Sequence, residues 1–265
     1  MIDIKEYTIN SISELLNILE KDVEINDYTL FRGHNDFTWK LLPKIARDDI
    51  KFRSKVDNES LMMETFKRYA KQYLDKDLQN EWDYFALAQH HGMATRLLDW
   101  TTNPLAALWF CVQKPCCVDY GALWVLQLES DDYLKASQIE DDKKTKPWFE
   151  VHDPLKSFNH YSPLTITNSI IVYQPHLLDQ RIINQNGWFT VHQNIKNEYI
   201  DLAQHEKFSS RLAKILVPKC VFSDIRSKLD TLGVNQMSLF PDLDGVSKYA
   251  EWFHTVMADE PDDSE

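Results

Sequence analysis

Apolar positions along this chain follow two spacings, and the change from one to the other marks the elements. Ser11-Ile12-Ser13-Glu14 reads as a capping box, and Leu15, Leu16, Ile18 and Leu19 behind it form an amphipathic helical face. Leu61, Met62, Phe66, Tyr69, Ala70 and Tyr73 predict a helix over 58–74. A further helix is expected over 81–91, ended by Gly92 as a C-terminal cap. Asn103-Pro104 supplies an N-cap and a proline at the first helical position, opening a helix through Val112. Alternating or β-branched runs predict strands at 28–32, 122–128, 169–173, 188–192 and 212–217. Closing helices are expected over 219–232 and 245–257. Helices dominate the first half and strands the second, without βαβ alternation. The expected class is therefore α+β, with those five strands as the sheet core. Residues 129–165, polar and carrying Pro147, Pro154 and Pro163, read as a long insertion or lid-like loop.

Composition narrows the function classes. The chain has 265 residues, 43% hydrophobic and 26% charged, which is globular composition for one domain. That domain is expected over residues 1–258, with 259–265 as a frayed acidic tail. A net charge of −12 disfavours nonspecific nucleic acid and anionic membranes. The N-terminal residues show no signal-peptide pattern, and the apolar run from Leu105 to Val112 is too short to span a bilayer. Cys111, Cys116, Cys117 and Cys220 fit neither a disulfide framework nor a zinc ribbon. These features point to the cytoplasm. With 6 glycines and no GxxxxGK[ST] or GxGxxG, a glycine-rich phosphate loop is absent.

Three segments concentrate candidate chemistry. In Leu30-Phe31-Arg32-Gly33-His34, an arginine at a strand end can pair bidentately with phosphate, with Gly33 leaving room for a ligand to approach. The alternative is an arginine that holds an internal carboxylate such as Asp99. The run from Gln89 to Pro104 puts His90, His91, Thr95, Asp99, Trp100 and Thr101 before a helix N-terminus, where free N–H groups favour an anion. Trp100 can stack on a flat ring and Thr101 can bond an amide. Alternatively Thr101, Thr102 and Asn103 cap the helix and Trp100 is core. Adjacent His90 and His91 point about 100° apart on a helix, a poor pair for one metal, so no metal site is expected. In Arg181–His192, Gln185-Asn186-Gly187 reads as a polar turn between β-prone segments, equally an ordinary hairpin turn. An Arg32–Asp99 contact within one cleft is expected, because an internal arginine needs a carboxylate.

Together these segments resemble the FRG-domain family. The matching residues are Phe31-Arg32-Gly33; His91-Gly92, Thr95, Leu97-Leu98-Asp99-Trp100-Thr101, Pro104, Ala106-Ala107 and Phe110; then Arg181, Gln185, Gly187 and Phe189; and Leu239 to Gly245 as a closing motif. A weaker resemblance, to ADP-ribosyltransferases, rests on the order of Arg32, then Asp99-Trp100-Thr101-Thr102 before Ala107-Leu108-Trp109-Phe110, then Gln185. It implies a single domain of helices packed on a mostly antiparallel, split sheet, with NAD as the bound nucleotide. Arg32, Asp99 and Gln185 then stand as catalytic candidates. Gly33, His34, His91, Thr95, Trp100, Thr101 and Phe189 stand as ligand contacts. Gln185 occupies the place of a catalytic glutamate, and its neutrality would remove charge stabilisation on the order of 10²–10³ in rate. The resemblance therefore implies an NAD glycohydrolase or ADP-ribosyltransferase, as a toxin or antiphage effector. A non-catalytic module that senses a nucleotide or a protein partner is the competing reading.

Overall fold

The computed structural model describes residues 4–47, 58–74, 78, 80–129, 132–135, 163, 170–177, 179–195 and 198–260. The elements are β1 (Lys5–Thr8), α1 (Ile12–Ile18), β2 (Thr29–His34), α2 (Asn58–Ala70), α3 (Glu81–His90), β3 (Leu97–Thr101), α4 (Pro104–Val112), β4 (Tyr120–Gln127), β5 (Tyr133–Lys135) and β6 (Ile171–Gln174). They continue with α5 (Gln180–Asn184), β7 (Gly187–Val191), β8 (Asn194–Ile195), β9 (Glu198–Tyr199), β10 (Leu212–Pro218), α6 (Phe222–Thr231), α7 (Gln236–Leu239) and α8 (Leu243–Phe253). The class is α+β. Eight strands form one sheet in the order β1-β10-β4-β2-β3-β7-β6-β5, and β8 pairs with β9 separately. Only β1 with β10 and β5 with β6 run parallel in the large sheet.

Local chemistry sets the helix ends. Ser11 caps α1 by accepting from Glu14 N, while the Glu14 carboxylate reaches Asn10 N instead of Ser11 N, so the capping box closes one residue early. Asn80 and Asn103 cap α3 and α4. Gly92 ends α3 in the left-handed region at φ +83, and Met93 N bonds back to Ala88 O.

Alternation along the strands sorts the core. On one face Phe31, Leu123, Val125, Ile215 and Val217 pack with α1, α4 and α6. Farther across that face Leu97, Ile171, Tyr173, Phe189 and Val191 pack with α2 and α3. The opposite face is one continuous layer that includes Leu30, Leu98, Trp100, Trp124, Val172 and Trp188. β2 and β3 share a single register pair, Phe31 with Thr101, whereas β2 pairs β4 over six positions. The sheet thus parts beyond Phe31, between the two apolar clusters of the first face.

Several expectations change. Lys5–Thr8 and Leu97–Thr101 are strands that the periodicity did not indicate. Residues 180–184 form a helical turn capped by Asp179, so Gln185-Asn186 ends a helix and is not a hairpin turn. Ser169, most of 129–165 and residues 261–265 lie outside the described residues. Asp259 and Glu260, expected in a frayed tail, are ordered against α6: both accept from Arg226, which is 3% exposed and also donates to Val112 O. No helix among the described residues is long and apolar enough to cross a membrane.

This C-terminal clamp gives a pH prediction. Burial opposes ionisation of Glu260, but Met257 N–H, the Trp252 indole N–H and Arg226 outweigh it and hold its pKa below the usual carboxylate value. A depressed folded pKa contributes stability that is present above the unfolded value, about 4.3, and lost as pH falls through the folded one. Glu260→Gln should cost about 1–2 kcal/mol at pH 7. The gap from wild type should narrow below about pH 4. Melting curves at pH 7 and pH 3 check this; a gap unchanged at pH 3 contradicts it.

Candidate functional site

Asp99 lies at the parting of the sheet, on the face between the two apolar clusters. Its side chain is 56% exposed, unusual for the middle of an interior strand. Its orientation is nonetheless fixed. Gln89 Nε2 donates to Asp99 Oδ2 at 2.9 Å, and Thr95 Oγ1, from a fully buried residue, donates to Gln89 Oε1 at 2.7 Å. Arg32 starts from the opposite face by alternation and reaches through the gap. Its Nη1 donates to Asp99 O at 2.5 Å and stands 3.7 Å from Asp99 Oδ2. Its Nε donates to His34 Nε2 at 2.9 Å. Burial brings the pKa of Arg32 down to about 10, against the opposing pull of Asp99, so it stays charged at neutral pH. His34 is held neutral, its pKa driven well down by burial and by Arg32 beside it. The expected Arg32–Asp99 meeting is therefore present.

The other predicted site residues divide. Trp100 is 3% exposed, packs in the opposite layer and gives its indole N–H to Thr190 Oγ1. It is core and offers no open ring face at Asp99. Thr190 in turn contacts His192 Nε2, and His192 Nδ1 bonds Ile200 O, so the carbonyl fixes the tautomer. Burial pushes His192 down to about 3. Thr101 Oγ1 donates to Gln185 O and accepts from Asn103 N. Gln185 Nε2 donates to Leu239 O and ties α5 to α7. Phe189 is core beside Tyr173. His91 is 60% exposed, with Nε2 3.8 Å from Asp179.

Two expected features are used by the fold itself. A Cβ on Gly33 would lie 1.9 Å from Ala107 O, so the space is filled by α4 and not left for a ligand. The first N–H groups of α4 are also taken: Asn103 Oδ1 accepts from Leu105 N and Ala106 N, and Asn103 O accepts from Ala107 N.

Three residues that lie in the candidate segments, but are not among the expected site residues, contribute here. Gln89 is the penultimate residue of α3. His90, 9% exposed, has its pKa lowered to about 4 by burial and by Arg181, against Asp179. Arg181 lies over the Phe240 ring, 4.2 Å from its centroid, and brings the closing segment to the site. Among the described residues no three His, Cys, Asp or Glu side chains gather as a metal would require.

The FRG-domain family model matches residues 27–119, so the stretch from just before β2 to just before β4 carries an FRG domain. No curated protein and no solved structure matches the chain.

Proposed function

We propose that this FRG-domain chain binds a nucleotide of the NAD or ADP-ribose type at the Asp99 cleft, on an ADP-ribosyltransferase-like fold, and cleaves its nicotinamide bond. The carrying observation is an exposed carboxylate oriented by a relay anchored on buried Thr95. Asp99 Oδ2 is engaged by Gln89, whereas Oδ1 has no partner among the described residues. A carboxylate so fixed can accept a ribose hydroxyl and favour positive charge developing on the sugar without reorganising at the moment of reaction. Asp99 rather than Gln185 then supplies the charge, because Gln185 is neutral and its amide N–H is spent on Leu239 O. Water or an acceptor side chain would take the ADP-ribosyl group. Depletion of NAD, or modification of a host target, would suit a toxin or antiphage effector.

One observation favours a second reading, binding without cleavage. Arg32, 3.7 Å from Asp99 Oδ2, offsets part of the negative charge that cleavage would use. Following nicotinamide release from NAD, alongside calorimetry with ADP-ribose, separates the two. Asp99→Asn should lower release by about 10²-fold with ADP-ribose still bound. Binding without release in the wild type makes the chain a sensing module. Neither binding nor release removes the nucleotide reading.

A further inference from the structure

The two arginines at this site differ in what their N–H groups are doing. Arg32 is engaged on Nε and Nη1, by His34 and by the Asp99 carbonyl. Arg181, half-buried, makes no side-chain hydrogen bond and no ion pair among the described residues, and its Nε is buried without a partner. An unengaged buried guanidinium N–H costs free energy unless something else satisfies it. The plane of Arg181 is fixed all the same. It stacks on Phe240, which is wedged against Trp109 and Phe110 with ring centroids 5.9 and 6.0 Å away. The carboxylates around it are turned elsewhere: Asp179 accepts from Arg181 N at the start of α5, Asp242 accepts from Gly245 N at the start of α8, and Asp99 is held by Gln89. Helix N-termini moderate the first two charges.

We propose that Arg181 is the anion-binding residue of the Asp99 site and takes a phosphate or diphosphate group of the ligand, while Arg32 is a positioning residue that holds the parted strands. The stacked guanidinium presents its free edge in a set orientation, as bidentate phosphate recognition requires. The nucleotide identity of the ligand rests on the proposed function above; the anion assignment rests on Arg181 alone.

Calorimetry with inorganic pyrophosphate, ADP-ribose and nicotinamide riboside, on wild type, Arg181→Gln and Arg181→Lys, tests it, with a melting curve for each protein. Pyrophosphate and ADP-ribose should bind Arg181→Gln on the order of 10- to 100-fold more weakly, with nicotinamide riboside unchanged. Arg181→Lys keeps the charge and should lose only part of that affinity; it also serves if the glutamine variant does not fold. Equal binding of both phosphorylated probes by wild type and variants overturns the assignment, as does wild type that gives no heat with pyrophosphate. Arg181-dependent pyrophosphate binding with none of ADP-ribose leaves the anion site standing and removes the nucleotide reading.

Discussion

Gly33→Ala should lose about 4 kcal/mol or more of stability, a large part of what a domain of this kind has. The added Cβ would meet Ala107 O at 1.9 Å and Cys111 N at 2.6 Å, both backbone atoms of α4 that no rotamer change can move. Relief requires α4 to lift off β2. That would uncover Phe31, Leu123 and Val125 and unseat the cap at Asn103 that begins just after β3. Gly92→Ala is the matched control. Its Cβ meets nothing within 4 Å, so only the left-handed φ of +83 resists, at about 1 kcal/mol. Thermal melts of the two variants decide the matter. A Gly33→Ala protein that melts within a few degrees of wild type, or below which Gly92→Ala falls, would show that the β2–α4 contact yields.

The second large effect is expected at Glu59. This residue is 3% exposed on α2, and its carboxylate accepts from Arg96 N at 2.7 Å, from Arg96 Nε at 2.8 Å and pairs with Arg96 Nη2 at 2.6 Å. Arg96 is equally enclosed and also donates to Pro163 O. Removing one member of such a pair breaks a buried charge-assisted contact, at about 3–5 kcal/mol. Glu59→Ala should cost that much. Because Arg96 immediately precedes β3 and follows Thr95, the loss should also loosen the Thr95–Gln89–Asp99 relay. A double-mutant cycle with Arg96→Met checks the mechanism: the double variant should recover part of the stability that either single change loses. A single-variant loss below about 1 kcal/mol would mean the pair is solvated.

Where side chains advertise their spacing, the fold was legible. β4 follows from a continuous apolar run and β10 from alternation, and α4 follows from Asn103-Pro104. β1 did not, because Lys5, Glu6 and Thr8 are exposed on an edge strand and leave no apolar period. α5 did not, because Ile182 and Ile183 are β-branched and the helix rests on its Asp179 cap. The meeting of Arg32 and Asp99 followed from the need to pair an enclosed arginine. The misplacement of Trp100 has one cause. Once Leu97–Thr101 is a strand, period two puts Leu98 and Trp100 on one face and Asp99 and Thr101 on the other. Taken as a stretch of loop before α4, it leaves Trp100 free to face a ligand. Which arginine is engaged and which is free depends on partners from distant segments, and no local pattern carries that.

The order of strands in the sheet bears on how the chain is made. β10 is the last strand in the sequence, yet it lies inside the sheet, between β1 and β4. Lys5 at one end of the chain pairs with Ala213 near the other. Until residues 212–218 exist, β1 has no neighbour, and one edge of β4 stays open along Gly121–Leu126, all buried in the finished fold. An open apolar edge of that kind invites pairing with a second chain. Synthesis from the N-terminus therefore holds that edge open until residues 212–218 have emerged, after every other strand of the sheet and before α6, α7 and α8. A chain cut short before residue 212 never closes it.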